Sequence, residues 1–248
     1  MPLTRFLILS SARTGSTLLT NVLNASGDVR CLLELLNPNV QQYGEPAAPD
    51  LKELRRNDAA AFVDRIAGAG AKPVFGFKIF PGHADTWLES ALDDPSWKKI
   101  VLYRENVLAV YSSRRIADAR GKWSDTGVKV ELAANNSDHA IEDQTEFHAG
   151  KFEKFRARYQ TPYSDWLARL VKTRQGFCFL EYGMLRNSKI LASAFSFLGA
   201  RPPTTFASNI IKTSSNDILS RFTNAEEVGS YLGKIARLDW QAESFLEI

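Results

Sequence analysis

The amino-terminal stretch joins a short apolar run, a loop of small and hydroxyl-bearing residues, and a segment with helical spacing. Residues 5–10 (RFLILS) are apolar enough for a buried strand, and residues 16–25 continue as a helix that stops before Gly27. A strand that leads at once into a helix has to bury one face of each element in a shared core. The stretch therefore favours an α/β fold built from βα units.

The same alternation continues along the chain, where short β-rich apolar runs are separated by longer segments with a 3.6-residue period. It predicts a central, mainly parallel sheet flanked by helices. Between residues 121 and 137 the sequence is polar and irregular, which is typical of a long surface loop or lid, and residues 204–248 give no clear pattern. The predicted strands are residues 74–80, 99–103 and 178–181, and the predicted helices are residues 107–119, 138–158, 162–174 and 185–198.

Length and composition narrow the class of protein. A chain of 248 residues with 44% hydrophobic residues suffices for one sizeable core, so we expect a single domain over residues 1–248. No window approaches about 18 consecutive apolar residues, and the run FLIL is too short for a signal peptide, so we expect a cytoplasmic protein without stable membrane insertion. The net charge of +3 is too small for a nucleic-acid partner. Cys31 and Cys178 lie in apolar runs without a CxxC or Cys/His cluster, so we expect no metal site.

The loop at residues 10–17 (SSARTGST) has the chemistry of an anion site. A strand that ends in small residues and opens a helix directs backbone N–H groups and the positive helix end at one point. Arg13 adds a full charge there, and Ser16 and Thr17 are expected to donate hydroxyl hydrogen bonds and to cap the helix. The ATP-binding P-loop needs a second Gly followed by Lys and Ser or Thr, which this loop lacks. The alternative is a capped turn with a surface arginine.

A second candidate phosphate site follows the strand predicted at residues 99–103. Arg104 stands at its carboxyl end, and Ser112 comes eight residues later, about two turns into the next helix. The two side chains converge on one phosphate if the connecting turn folds back, and ligands of α/β proteins bind at such strand ends. The alternative is a helix-terminal ion pair with an exposed serine.

The two segments together resemble the PAPS-dependent sulfotransferases, and most closely their bacterial carbohydrate branch, which includes nodulation-factor and trehalose sulfotransferases. The resemblance rests on ordered stretches over roughly residues 5–230: ARTGSTLL, CLLELLNP at residues 31–38, FGFKIF at residues 75–80, LYRENVLAVYSS, and residues 181–199. It implies a P-loop-like three-layer sandwich. It also implies PAPS as cosubstrate, release of PAP, a carbohydrate or glycolipid acceptor, and no metal requirement.

The resemblance also implies roles for single residues. Arg13 would clamp the 5′-phosphate and the leaving oxygen as an electrostatic stabiliser, because arginine does not give up its proton. Lys78 matches a family lysine near the sulfuryl group. The Lys-x-His base of the cytosolic enzymes is absent because Ile79 and Phe80 follow Lys78, and Glu34 matches the glutamate that the carbohydrate enzymes use as general base. His83 is the alternative base, and Glu34 is otherwise a surface or ion-paired carboxylate.

The remaining contacts are assigned in the same way. The loop residues Arg13, Thr14, Gly15, Ser16 and Thr17 would hold the 5′-phosphosulfate, and Arg104 and Ser112 the 3′-phosphate. The family's late basic loop is absent from this sequence. Lys212 with residues 213 and 214, or Arg221, are the candidates to make its contacts with the nucleotide. His148, Trp123, Trp166 and Tyr163 are candidates for the acceptor pocket.

Three points stay open from the sequence. Some relatives dimerise, so a homodimer is one expectation. The alternatives in function are a small-molecule or nucleoside kinase and a non-catalytic nucleotide-binding protein of the same fold. A non-catalytic protein would differ from an enzyme in whether Glu34 and Lys78 face the nucleotide pocket.

Overall fold

The computed structural model of the protein describes residues 2–39, 49–121, 126–131, 144–210 and 215–245. Its central feature is a parallel sheet of five strands in the order β2-β3-β1-β4-β6. A separate antiparallel pair joins β5 and β7. In chain order the strands are β1 (Thr4–Leu9), β2 (Val29–Leu32), β3 (Val74–Ile79), β4 (Trp97–Tyr103), β5 (Thr126–Glu131), β6 (Phe177–Glu181) and β7 (Ala207–Ile210).

Helices cover both faces of this sheet. They are α1 (Ser16–Asn24), α2 (Pro49–Asn57), α3 (Ala59–Gly68), α4 (Asp85–Asp93), α5 (Val107–Arg120), α6 (Ala149–Lys172), α7 (Ser188–Leu198) and α8 (Ala225–Lys234). Phe6 and Ile8 face a core shared with α1 and α7, whereas Leu7 and Leu9 face a core shared with α3, α4, α5, α6 and α8. The prediction of an α/β sandwich with a central parallel sheet flanked by helices is confirmed.

Strand β1 lies in the middle of the sheet and is apolar on both faces, as a buried parallel strand requires. Its Phe6 stands opposite Gly76 of β3. A Cβ atom on Gly76 would lie 2.4 Å from the Phe6 ring, so only glycine fits at this position. The large aromatic ring on β1 therefore dictates the glycine in FGFKIF.

The order of the strands places the site. The chain leaves β1 for β2 and β3 on one side and then crosses to β4 and β6 on the other, so β1 is the point where the winding reverses. Ligands of open α/β sheets bind in the crevice at the carboxyl ends of the strands at such a point. The loops that follow β1, β3 and β4 meet at this edge.

Two sequence-based assignments of secondary structure are wrong in the middle of the chain. The predicted helices 138–158 and 162–174 are one helix, α6, and the described residues 144–148 before it are not helical. Pro162 lies inside α6 because the buried stripe runs through it without a break, from Phe152 and Tyr159 to Tyr163 and Leu170. Part of the predicted loop, Thr126–Glu131, forms β5 and pairs with β7. The rest of that loop lies outside the described residues.

Several elements were not predicted at all. Strand β2 and helices α2, α3 and α4 occupy stretches to which the sequence assigned no element. The predicted helix 185–198 is a short 3₁₀ turn, Tyr182–Arg186, followed by α7. Within the described ranges no helix is both long and apolar enough to cross a membrane.

Candidate active site

The loop after β1 has a strained backbone. Arg13 has φ = 67° and Gly15 has φ = 83°, so both adopt the left-handed conformation that a residue with a side chain rarely takes. The buried Thr14 hydroxyl donates to the carbonyl of Ser11 at 2.8 Å and closes the loop on itself. Strained backbone of this kind persists where the surrounding structure fixes it, commonly at ligand sites.

Helix α1 begins without a side-chain cap. Gly15 is its N-cap residue, and no side chain accepts a hydrogen bond from the first turn. The expectation that Ser16 and Thr17 cap the helix is therefore wrong, because glycine holds the cap position and the Thr17 hydroxyl instead accepts a hydrogen bond from Lys78. The positive end of α1 thus opens onto the loop with N–H groups that an anion can bind.

Gly15 should not tolerate a side chain. A Cβ atom there would lie 2.7 Å from the Tyr182 ring and 3.0 Å from Leu185, and the residue would keep its unfavourable φ. We expect Gly15→Ala to lower the free energy of unfolding by about 2 kcal/mol or more, measured by urea denaturation. Gly27→Ala is the matched control, since a Cβ atom on Gly27 meets nothing within 4 Å. Equal stability of the two variants would contradict the close packing of Tyr182 on the loop.

Lys78, at the end of β3, joins the loop to a carboxylate. Its Nζ donates to Thr17 Oγ1 at 2.9 Å and lies 3.3 Å from Glu34 Oε1. The other Glu34 oxygen, Oε2, accepts from Asn37 Nδ2 at 2.7 Å. Glu34 reaches this place because it sits in the turn directly after β2, which pairs with β3. The structure thus brings Glu34, Lys78 and Thr17 together at one edge of the sheet.

Burial sets the electrostatics of this group. The Lys78 side chain is 5% exposed and the Glu34 side chain 20% exposed. Burial lowers the pKa of Lys78, and the nearby Glu34 carboxylate opposes that shift. The ammonium also lies 5.2 Å from the centre of the Phe80 ring. A desolvated cation beside a partly exposed carboxylate acts strongly on any charge that develops between them.

His83 stands near the same group. Its ring packs on Phe80 with 5.3 Å between ring centres, and among the described residues its buried Nδ1 atom has no hydrogen-bond partner. Burial lowers the pKa of this histidine, and the charge of Glu34 acts in the opposite direction. The burial favours the neutral imidazole, so His83 stays the alternative proton acceptor.

Arg104 is buried at the end of β4 and holds the first loop. Its Nη1 donates to the Arg13 carbonyl at 2.8 Å, and its guanidinium lies 4.1 Å from the centre of the Tyr182 ring. Its Nη2 and Nε both contact Glu243 Oε1, at 2.9 and 3.2 Å. The backbone of Arg104 is fixed by Tyr159, whose hydroxyl accepts from Arg104 N and donates to Arg104 O, each at 3.0 Å.

Ser112 is met by Arg221 rather than by Arg104. Arg221 Nη1 donates to Ser112 Oγ at 3.1 Å and to the Ala109 carbonyl at 3.2 Å. The neighbouring Ser113 accepts from Arg13 Nε at 2.9 Å. Helix α5 thus carries two adjacent serines, each bound to a different arginine of the site.

The three arginines form one positive cluster. Arg221 is 3% exposed, and its pKa is lowered to about 9 by burial and by repulsion from Arg104 and Arg13, with Glu243 acting in the opposite direction. Burial also disfavours the charge of Arg104, but the Glu243 carboxylate holds its pKa above the usual value. A buried group of guanidiniums is a strong site for a phosphate.

Other candidates from the sequence lie elsewhere. Lys212 and Trp123 fall outside the described residues. Tyr163 and Trp166 lie on α6 and are buried in the core, so they do not offer an open face for a sugar. His148 is the N-cap residue that precedes α6, and it pairs with Glu146 at 3.2 Å near the surface.

Sequence reasoning missed several residues of the site. Tyr159 carries the signal of a core helix only, and its role at Arg104 needs the fold to be seen. Tyr182 lies in the stretch 181–199 that supports the resemblance, but the sequence gives it no role at the site. Glu243 comes from a stretch without a pattern. In the part of the chain that the structure describes, no group of three or more His, Cys, Asp or Glu residues could hold a metal ion.

Comparison with known proteins gives the fold. No protein-family model matches the sequence. No curated protein matches it either. A solved structure, a sulfotransferase from Alicyclobacillus acidocaldarius, superposes with a TM-score of 0.51 at 14% identity and covers 99% of this chain and 98% of its own. The chain has a sulfotransferase fold.

A second solved structure matches part of the chain. The sulfotransferase domain of the Synechococcus PCC 7002 olefin synthase matches with a TM-score of 0.43 at 14% identity, over 81% of this chain and 74% of that domain.

Proposed function

We propose that this protein is a sulfotransferase that moves a sulfuryl group from PAPS to a hydroxyl of a carbohydrate or glycolipid acceptor and releases PAP. The observation that carries the proposal is the contact chain Glu34–Lys78–Thr17 at the mouth of the loop after β1. It brings a candidate base and a buried cation to an anion-binding helix end. Burying a lysine costs free energy, and an ordinary surface loop gains nothing that would offset this cost.

The donor fits the positive groups at this edge of the sheet. The open first turn of α1, with Arg13, suits the 5′-phosphosulfate. Arg104 and Arg221 suit the 3′-phosphate, since they are two buried guanidiniums. Ser112 accepts from Arg221 and donates to the Ala109 carbonyl at 3.2 Å, so its hydroxyl would join them by turning its proton from that carbonyl to the phosphate. The resemblance of ARTGSTLL and LYRENVLAVYSS to the family's two phosphate motifs supports the same assignment.

The chemistry needs one proton acceptor and a stabiliser of charge. In the transfer, the bond from sulfur to the phosphate oxygen breaks and a bond from sulfur to the acceptor oxygen forms. Glu34 takes the proton of the acceptor hydroxyl, and Lys78 and Arg13 stabilise the charge that develops on the leaving oxygen and the sulfuryl group. Neither cation has to change its protonation state. The side chains alone therefore supply the roles that the reaction requires.

The acceptor class rests on the resemblance to the carbohydrate branch. The absence of Lys-x-His after β3 and the position of Glu34 after β2 agree with that branch. His83 Nδ1, which has no hydrogen-bond partner within the described ranges, offers an additional hydrogen-bonding group to a hydroxyl-rich acceptor.

Calorimetric titration tests the donor assignment directly. We expect the purified protein to bind PAP in the micromolar range and to bind ADP, which lacks the 3′-phosphate, and ATP with magnesium much more weakly. Turnover of PAPS with a panel of sugar and glycolipid hydroxyls, without added metal, then identifies the acceptor. Binding of ATP with magnesium and not of PAP would instead support a kinase.

A further inference from the structure

The carboxyl-terminal segment, residues 242–245, packs directly on the arginine cluster. Ala242 pairs with Asp217 in an isolated β-bridge, and the amide of Glu243 donates to the Asn216 carbonyl at 3.0 Å. Phe245 lies 5.7 Å from the Tyr182 ring, measured between ring centres, and 3.8 Å from the Arg186 guanidinium. The segment is therefore held by its own contacts and does not merely trail past the site.

Glu243 is the residue of this segment that enters the cluster. Its side chain is 3% exposed, and its Oε1 accepts from two nitrogens of Arg104. Two N–H groups of one guanidinium on an anionic oxygen are what a phosphate would receive at the same place. The carboxylate thus occupies the position in which Arg104 would hold a nucleotide phosphate.

The charges around Glu243 act on it in both directions. The charges of Arg104 and Arg13 disfavour the charge of Arg221. The Glu243 carboxylate favours it. Ser112 already accepts from Arg221 and lies fully buried beneath it. Burial raises the pKa of Glu181, and the charge of Glu243 raises it further while Arg104 opposes the shift. Glu181 is thus a second carboxylate at Arg104, and its repulsion of Glu243 weakens the hold of Glu243 on the guanidinium.

We propose that Glu243 is an internal anion that occupies the 3′-phosphate site, and that it leaves Arg104 together with residues 242–245 when a nucleotide with a 3′-phosphate binds. The inference rests on the proposed function and concerns the regulation of the same site. Because the Glu243 side chain is almost fully enclosed, it has to leave with its segment. The free energy of donor binding is then the free energy gained by binding the phosphate less the free energy needed to displace the Glu243 carboxylate.

The test compares two nucleotides on two variants. PAP carries both phosphates, whereas AMP carries the 5′-phosphate alone and does not compete with Glu243. We expect Glu243→Gln to bind PAP at least ~10-fold more tightly than the wild type by calorimetry, and AMP with unchanged affinity. Asp239→Asn is the matched control: it removes the same charge from an exposed position nearby, where Asp239 pairs with Arg237, and we expect no change for either nucleotide.

A measurement on the wild type covers the case in which Glu243→Gln does not fold. The Glu243 amide is hydrogen-bonded to Asn216, so its hydrogen exchange reports whether the segment is in place. We expect PAP to accelerate exchange over residues 242–245 and AMP to leave it unchanged. Slower or unchanged exchange with PAP would overturn the proposal.

The outcomes separate the inference from the function on which it rests. If the wild type binds PAP and Glu243→Gln binds it equally or more weakly, Glu243 orients Arg104 for the phosphate and the inference is wrong. If neither variant prefers PAP over AMP, the 3′-phosphate site itself is wrong, and the proposed donor falls with it.

Discussion

Glu34→Gln is expected to lower kcat by at least ~100-fold, the scale for loss of a general base, and to leave the affinity for PAP unchanged. The amide keeps the shape of the side chain and its hydrogen-bonding oxygen near Lys78, but it cannot accept the acceptor's proton. The measurement is steady-state turnover of PAPS with the acceptor found by screening, together with a calorimetric titration of PAP. An unchanged kcat would remove Glu34 from the role of base.

Two further variants make this result specific. Glu89→Gln carries the same chemical change on the exposed face of α4 and should turn over as the wild type does. His83→Gln tests the alternative base, and we expect a loss in kcat well below that of Glu34→Gln. A larger loss for His83→Gln would transfer the role of base to the histidine.

Lys78→Met is the second substitution with a large expected effect. Lys78 is 4% exposed, so an apolar side chain of similar length fills its place without a cavity. The variant loses the cation between Glu34 and Thr17, and we expect kcat to fall by ~10²–10³-fold, the cost of removing one electrostatic stabiliser. Thermal unfolding should shift to a lower temperature, because Glu34 keeps its hydrogen bond from Asn37 but loses its cation at a largely buried position.

The double variant of Lys78→Met and Glu34→Gln tests whether the two side chains act as a unit. Groups in direct contact that serve one step show strongly non-additive effects. We expect the double variant to be about as slow as the slower single variant. Losses that multiply would mean that Lys78 and Glu34 act independently, which the 3.3 Å contact between them argues against.

The parts of the fold that could be predicted from the sequence are those with local signals. Strand β1, its loop and α1 follow from an apolar run, small residues and helical spacing, and Arg104 at the end of β4 follows in the same way. Strand β2 has only four residues and half-buried alternate positions, so its run is not separable from a helix by periodicity. Helix α6 is continuous across Pro162, whereas the sequence pattern predicts two helices, 138–158 and 162–174, because the buried stripe that joins them is visible only in the fold.

The site was predicted in part for the same reason. Separate motifs point to Glu34 and to Lys78, and the fold places the two side chains in contact. Ser112 was paired with Arg104, but Arg221 is its hydrogen-bond donor. Glu243 could not be predicted, because it comes from a stretch without a pattern and its importance depends on the tertiary contact with Arg104.

The hydrogen bond from Arg104 to the Arg13 carbonyl makes the two proposed phosphate loops structurally interdependent. The left-handed turn at Arg13 is held in part by a side chain that begins at another strand, so neither loop can drift in sequence without loosening the other. A descendant of this fold that changed its donor would have to alter both loops together. Paired substitutions at these two places are therefore the trace to look for in relatives that use a different nucleotide.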